Sequence, residues 1–190
     1  MRLKQVVTIA IVSLLVVATA FGDDKDEKER QKIRQMTTQT LQELYKLEPA
    51  SKAAIHKSAG YAVFGNVGTK ILVVSTARGS GLAVDSKTKQ QTFMKMISAG
   101  GGLGVGVTKY RVIFAFENQG ALNQFLNSGW SGSAEADAAA KTSKKGGAYA
   151  GAVQVNPGVW VYQITEKGLA LSLTLQGTKY YKDDDLNKKD

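Results

Sequence analysis

Glycine and larger apolar residues alternate in the middle of this 190-residue chain, and this pattern constrains the fold more than any other. The segment SAGGGLGVGV begins at Ser98, and in it Gly102, Gly104 and Gly106 alternate with Leu and Val. Successive side chains of a strand point to opposite faces, so the run predicts a β-strand with one bare face. Such a face admits either a closely packed element or a ligand, and close packing is the favoured interpretation.

The same glycines do not form a nucleotide-binding loop. The dinucleotide fingerprint needs glycines at offsets of zero, two and five, and no start at Gly100, Gly102 or Gly104 provides them. The Walker sequence Gly-Lys-Ser/Thr is absent from this run as well. RGSGLAV, which begins at Arg78, is a second segment of the bare-faced kind.

Alternation in the neighbouring segments predicts further strands. YRVIFAFE, VWVYQITE and LALSLTLQ each place their large apolar residues on one face. TKILVVST is apolar and β-branched, and TFMKMIS follows the polar turn DSKTKQ. The aligned positions are Tyr110, Val112, Phe114 and Phe116; Trp160, Tyr162 and Ile164; and Leu169, Leu171, Leu173 and Leu175. NPG at 156–158 and EKG at 166–168 are turn signals between these runs.

Helical periodicity precedes the strands and interrupts them once. Residues 23–49 carry an apolar stripe at spacings of three and four, formed by Ile33, Met36, Thr40, Leu44 and Leu47. This amphipathic helix either docks on the domain or lies on a membrane, and docking is favoured. After Pro49 a short helix is predicted from Ala50 to Ser58, with Gly60 as its C-cap. Another helix is predicted near 118–128, with Asn118 as N-cap.

Together these elements predict an α+β fold. Its centre is an antiparallel, glycine-rich β-sheet curled into a barrel or sandwich. The N-terminal helices precede this sheet, and one helix is inserted near 118–128.

The first 22 residues have the plan of a secretory signal peptide. Arg2 and Lys4 precede an apolar stretch from about Val6 to Ala20, and either ATA at 18–20 or AFG at 20–22 offers a small-residue cleavage site. The alternative is an uncleaved anchor, although the stretch is shorter than the roughly 20 residues that span a bilayer. We therefore expect an exported protein, periplasmic or secreted, with peripheral membrane association. The chain has no cysteine, so it forms no disulfide.

The positive charge belongs to the central part of the chain. The formal net charge is +9, and residues 49–182 alone carry fifteen basic and five acidic side chains. This excess indicates an anionic partner, with general solubility as the alternative explanation. Nucleic acid is a poor third choice, because the predicted export removes that partner and the aromatic residues alternate along strand faces rather than lying beside the lysines. Residues 183–190 are interpreted as a polar tail.

Catalytic and metal-binding patterns are scarce. His56 is the single histidine and the chain has no cysteine. Ser–His and Cys–His catalytic sites and multi-histidine metal sites are therefore almost excluded. Glu135 and Asp137 form a weak carboxylate pair, and KDDDLNKKD is an acidic end of the usual solvated kind. We therefore predict no enzyme activity, no cofactor and no metal site.

The order of several motifs resembles the SYLF domain family over roughly residues 50–180. These motifs are SAGYAVFGNVGTKI, ARGSGLAV, KYRVIFAFENQGALNQFLNSGW and GGAYAGAVQVNPGVWVYQ. The resemblance implies a non-enzymatic domain that binds anionic phospholipids, phosphoinositides in the eukaryotic members, and in some relatives actin. Many relatives carry Gly-Trp-Glu where this chain has Gly129, Trp130 and Ser131, so a role that rests on that glutamate does not carry over.

The resulting hypothesis divides the chain into a signal peptide (1–22), an amphipathic helix (23–49), a SYLF-like domain (50–182) and the polar tail (183–190). Its function is to bind anionic phospholipid headgroups or a membrane surface. A structural or interaction protein of the cell envelope, with a protein partner, is the alternative. The candidate anion-binding residues are Lys70, Arg78, Lys109 and Arg111. Lys109 and Arg111 lie two apart on a strand, so they share the face opposite Tyr110.

Overall fold

Helices and antiparallel strands make up most of the described chain. The computed structural model describes residues 3–65, 76–99, 110–132, 147–170 and 177–188. The glycine run at 100–107 and most of TKILVVST and LALSLTLQ lie outside these residues. Contacts divide the chain into two units, Met1–Lys32 and Ile33–Asp190.

Three helices and nine strands are described. The helices are α1 (Leu3–Leu47), α2 (Ala50–Lys57) and α3 (Gln119–Ser128), and a single 3-10 turn spans Gly147–Tyr149. The strands are β1 (Gly60–Gly65), β2 (Thr76–Asp85), β3 (Gln91–Ala99), β4 (Tyr110–Phe116), β5 (Trp130–Ser131), β6 (Val153–Asn156), β7 (Val159–Thr165), β8 (Gly168–Ala170) and β9 (Thr178–Lys182).

The first unit is helical from Leu3 onward. Its polar end carries ion pairs at helical spacing, with Lys28 2.6 Å from Asp24 and Arg30 3.6 Å from Glu27. Exposed pairs of this kind stabilise a helix only slightly. Over the residues whose placement is described, no helix combines the length and the apolar character needed to cross a membrane.

The second unit is built on one sheet with the strand order β5-β9-β3-β2-β1-β4-β7-β6, and β8 also pairs with β7. Every pairing in it is antiparallel, and the sheet is curled into a half-barrel. The prediction of an α+β fold with a curled antiparallel sheet is therefore confirmed. The helix near 118–128 is confirmed too, because the Asn118 side-chain oxygen accepts a hydrogen bond from the Ala121 N–H.

One face of the sheet packs against α3 and forms an aromatic core. Its rings include those of Phe64, Phe114, Phe116, Phe125 and Tyr180. Phe64 lies edge-on to Tyr180 with 4.7 Å between ring centroids, and Phe114 lies edge-on to Tyr180 at 4.9 Å. Tyr110, Val112, Phe114 and Phe116 all belong to this core, as their alternation predicted.

The opposite face is covered by α2 and by the part of α1 that follows Lys32. Ile33 and Leu44 of α1 are fully buried against the strands, and Ile55 of α2 joins the same side. The interpretation that this amphipathic stripe docks on the domain is therefore confirmed. Leu47 departs from it, because the helix ends there and its side chain is 44% exposed.

Glycines of β1 and β2 allow elements to approach closely. A Cβ at Gly81 would lie 2.6 Å from the Val63 carbonyl oxygen and would collide with the Phe64 ring, so close packing is confirmed for RGSGLAV. The prediction of Gly60 as a helix C-cap is wrong. Ser58 caps α2, and Gly60 starts β1, where a Cβ would lie 2.7 Å from Leu122 Cδ2.

Candidate functional site

A part of the sheet surface made by β2, β3 and β9 faces away from the aromatic core. Arg78 of β2, Ile97 of β3 and Lys179 of β9 lie side by side across the three strands. The next row consists of Ser80, Lys95 and Tyr181. We call these six residues the open sheet face. Neighbouring strands are about 4.8 Å apart, so the Cα atoms of Arg78 and Lys179 are separated by about 10 Å.

Helix α1 covers the rows beside the open sheet face but does not cover the face itself, which remains accessible. None of the six side chains is buried, and the two outermost cations are exposed. Arg34 of α1 donates a hydrogen bond to Gln91 Oε1 over 3.0 Å, and its guanidinium lies 5.2 Å from the centroid of the Phe93 ring. Leu82 and Phe93 are buried beneath the helix, whereas the rows beyond them remain in contact with solvent.

The cations of the open sheet face differ in how far they are neutralised. Lys95 lies 2.8 Å from Asp183 and 3.5 Å from Asp185, and the hydrogen bond to Asp183 raises the pKa of the Lys95 ammonium. Arg78 and Lys179 form no ion pair with a carboxylate among the residues that the structure describes. The face therefore carries two uncompensated positive charges beside one compensated charge.

The C-terminal segment packs against β3 and supports this surface. Asp183 is 2% exposed and accepts hydrogen bonds from the backbone of Asp185 and Leu186. Asn187 bonds both backbone groups of Phe93, accepting from its N–H over 2.9 Å and donating to its carbonyl oxygen over 2.7 Å. Residues 183–188 thus form an ordered turn on the sheet, which differs from the interpretation of this stretch as a solvated tail.

The predicted anion-binding residues do not all meet in one place. Arg78 belongs to the open sheet face. Arg111 projects from the same side of the sheet in β4, but its guanidinium forms an ion pair with Glu43 of α1. Lys70 and Lys109 lie outside the described residues. The pairing of Arg111 joins residues 68 positions apart, so neighbouring sequence does not reveal it.

Two cations of the open sheet face were missed from the sequence. Lys95 alternates with Met94 and Met96, and that alternation alone would have put Lys95 on the side away from the core. Lys179 lies in β9, which the sequence analysis did not predict, because TKYYK is a short polar and aromatic segment. Only the pairing of β9 with β3 brings Lys179 next to Ile97 and Arg78.

Metal-binding groupings are not found in the part of the chain that the structure describes, where no three His, Cys, Asp or Glu side chains converge. His56, the single histidine, lies exposed on α2.

The fold and the open sheet face together define an α+β domain built on an antiparallel half-barrel with a cationic outer surface. Residues 97–189 match the model of the Ysc84 family, described as Las17-binding protein actin regulator. This chain therefore carries a domain of the SYLF (Ysc84) family, and the resemblance seen in its motifs is confirmed.

A curated relative supports the same assignment over a longer stretch. The chain is 36% identical over 157 residues to "Beta cell expansion factor A" of Aeromonas veronii. That alignment covers 82% of this chain and 58% of the relative, so the chain spans little more than half of the relative's length.

Proposed function

We propose that this chain is a non-enzymatic module that binds anionic phospholipid headgroups through the open sheet face. The observation that carries the proposal is the row Arg78–Ile97–Lys179, in which two exposed cations without carboxylate partners among the described residues flank an accessible apolar side chain. A separation of about 10 Å lets the two cations contact phosphates of different headgroups.

The chemistry of the face suits a membrane surface. Each cation near an anionic bilayer contributes about 1 kcal/mol of attraction, which decays over a Debye length of about 10 Å. Ile97 and Tyr181 are only partly buried, so they can contact the boundary between headgroups and acyl chains. The strongly basic centre of the chain adds long-range attraction.

The proposal includes export. Residues 1–22 would be removed as a signal peptide, as their positive start and apolar run suggest. N-terminal sequencing of protein from an exporting host should find a start at Phe21 or Asp23. Protein that retains Met1 in the exported fraction would contradict cleavage.

Sedimentation with vesicles tests the function of the mature chain, recovered from an exporting host. Vesicles that contain phosphatidylglycerol should co-sediment the protein at low salt, and raising the salt about tenfold should release most of it because exposed charges are screened. Vesicles of phosphatidylcholine alone should bind little. Equal binding to both vesicle types, or binding that salt leaves unchanged, would contradict the proposal.

A second candidate follows from the family description, which names an actin regulator. In that case the open sheet face would dock a protein partner. The chain would then sediment with actin filaments but not with anionic vesicles. The vesicle experiment therefore separates the two candidates.

A further inference from the structure

A groove lies on the other side of the sheet, between α3 and the turn that joins β6 to β7. Its volume is about 320 Å³, and its lining includes Asn118, Gln124, Trp130, Asn156 and Pro157. Two of the motifs that resemble the SYLF family, FENQGALNQFLNSGW and QVNPGVW, meet here. The open sheet face is on the opposite side of the sheet, so its cations do not line the groove.

A glycine with positive φ fixes each wall of the groove. Gly129 has φ +69° and lies against the Tyr180 carbonyl oxygen, which sets the position of Trp130 at the start of β5. Gly158 has φ +73°, and a Cβ there would lie 2.8 Å from Asn118 Nδ2. The Gly158 carbonyl oxygen also accepts a hydrogen bond from the Glu117 N–H over 2.9 Å. The groove is therefore preformed, which lowers the entropic cost of binding.

The polar groups of the groove are available to a ligand. Asn118 uses its side-chain oxygen to cap α3. In the described part of the chain, no residue forms a hydrogen bond with the side-chain amides of Gln124 and Asn156 or with the indole N–H of Trp130. Each amide offers a carbonyl acceptor and two N–H donors, and the indole offers one more donor.

Trp130 gives the groove a fixed aromatic wall. The ring lies edge-on to Phe114, with 5.5 Å between centroids, and tilted against Tyr180 at 5.8 Å. These contacts hold the indole in place while the side chain stays partly exposed. None of the residues that line the groove is charged.

We propose that this groove binds a neutral saccharide. An uncharged ligand fits a lining without charges, and amides that both donate and accept suit hydroxyl and acetamido groups, which do the same. The apolar face of a sugar ring would contact the indole of Trp130. A peptide side chain would need a deeper apolar pocket than this half-open groove provides.

The two tryptophans of the chain make a test with an internal control. The probe is the β-1,4-linked trisaccharide of N-acetylglucosamine, added to the full chain labelled with ¹⁵N. The Trp130 indole N–H and the side-chain amides of Gln124 and Asn156 should shift on titration. The Trp160 indole N–H should not shift, because it already donates to Glu117 Oε1 over 2.7 Å outside the groove.

Variants then locate the contact. Gln124→Ala and Asn156→Ala should each weaken the affinity about 2–10-fold, which corresponds to one hydrogen bond. Asn127→Ala is the matched control, because Asn127 is exposed on the same helix and does not line the groove.

Three results would overturn the proposal. The first is an unchanged Trp130 resonance at about 10 mM trisaccharide. A dissociation constant above that concentration would be too weak for a specific site. The second is an equal shift of both indoles or an equal loss in all three variants. The third is a shift of Trp130 by an uncharged proline-containing tetrapeptide but not by the sugar, which would make the groove a peptide site. Vesicle binding is independent of all three.

Discussion

At the scale of single residues, the tyrosines buried in the aromatic core have hydroxyl groups with weak hydrogen-bond partners or none among the described residues. Tyr110 is 5% exposed, its hydroxyl lies 3.6 Å from Met96 Sδ, and burial raises the pKa of Tyr110 to about 12. The Tyr180 hydroxyl is fully buried without a hydrogen-bond partner in the described part of the chain, and desolvation raises the pKa of Tyr180 as well. These groups make the fold sensitive to alkali.

Alkaline titration should therefore be coupled to unfolding. The pKa of Tyr110 is higher in the folded chain than its usual value of 10, so its contribution to stability is complete below pH 10 and lost as the pH rises through about 12. Near-ultraviolet absorbance should show a late class of tyrosines that ionises as the circular dichroism of the fold is lost. Tyr110→Phe should remove one member of that class. Ionisation of all tyrosines near pH 10 with the fold intact would contradict this account.

Close packing at Gly81 is a second residue-scale feature with a measurable consequence. Gly81→Val would place its Cβ 2.6 Å from the Val63 carbonyl oxygen and against the Phe64 ring, at the centre of the aromatic core. Overpacking of this kind costs about 1–3 kcal/mol, so the midpoint of thermal unfolding should fall by several degrees. Ser80→Ala, next to it on the accessible side of β2, serves as the control. A Gly81→Val variant as stable as the Ser80→Ala variant would contradict the packing.

At the scale of elements, helix α1 illustrates what sequence periodicity can predict. Its buried stripe follows from spacings of three and four, because these positions share one face of a helix. Its ion pair does not follow, since Glu43 and Arg111 meet only when the helix crosses β4. The hypothesis that Arg111 forms part of an anion-binding surface must therefore allow for a carboxylate beside it.

This pair predicts that reversing Arg111 affects helix docking. Arg111→Glu would place a second carboxylate beside Glu43, where α1 crosses β4. The free energy of unfolding should fall by about 1 kcal/mol or less, because both side chains are partly exposed. Glu43→Lys combined with Arg111→Glu should restore the thermal midpoint. A double variant that is less stable than Arg111→Glu alone would show that the ion pair does not hold the helix.

Strand prediction succeeded where alternation was strong and failed where pairing decided the outcome. β4 and β7 alternate over seven residues each, and both were predicted. β9 has five residues, and its position beside β3 depends on a contact between distant parts of the chain. The turn at Asp183 was missed for a related reason, because its acidic sequence is typical of a solvated end.

At the scale of the whole molecule, the structure shows where part of the chain's positive charge lies. The net charge of +9 showed that an anion was the expected partner, and sequence alone placed Arg78 among the candidates. The sheet register was needed to set Lys179 beside it and to show that Lys95 is paired with Asp183. A cationic surface formed by three strands cannot be recognised from any single segment.

Charge reversal on the open sheet face is the most direct test of the central claim. The variant Arg78→Glu with Lys179→Glu should bind phosphatidylglycerol vesicles at least tenfold more weakly than the wild-type chain, since each reversal removes an attraction of about 1 kcal/mol and adds repulsion. The control is Lys52→Glu with Lys167→Glu, which changes the net charge equally at exposed positions outside that face. The account predicts a change of less than about threefold for the control at matched thermal stability. Equal losses for the two double variants would contradict the account, because net charge alone would then explain the binding.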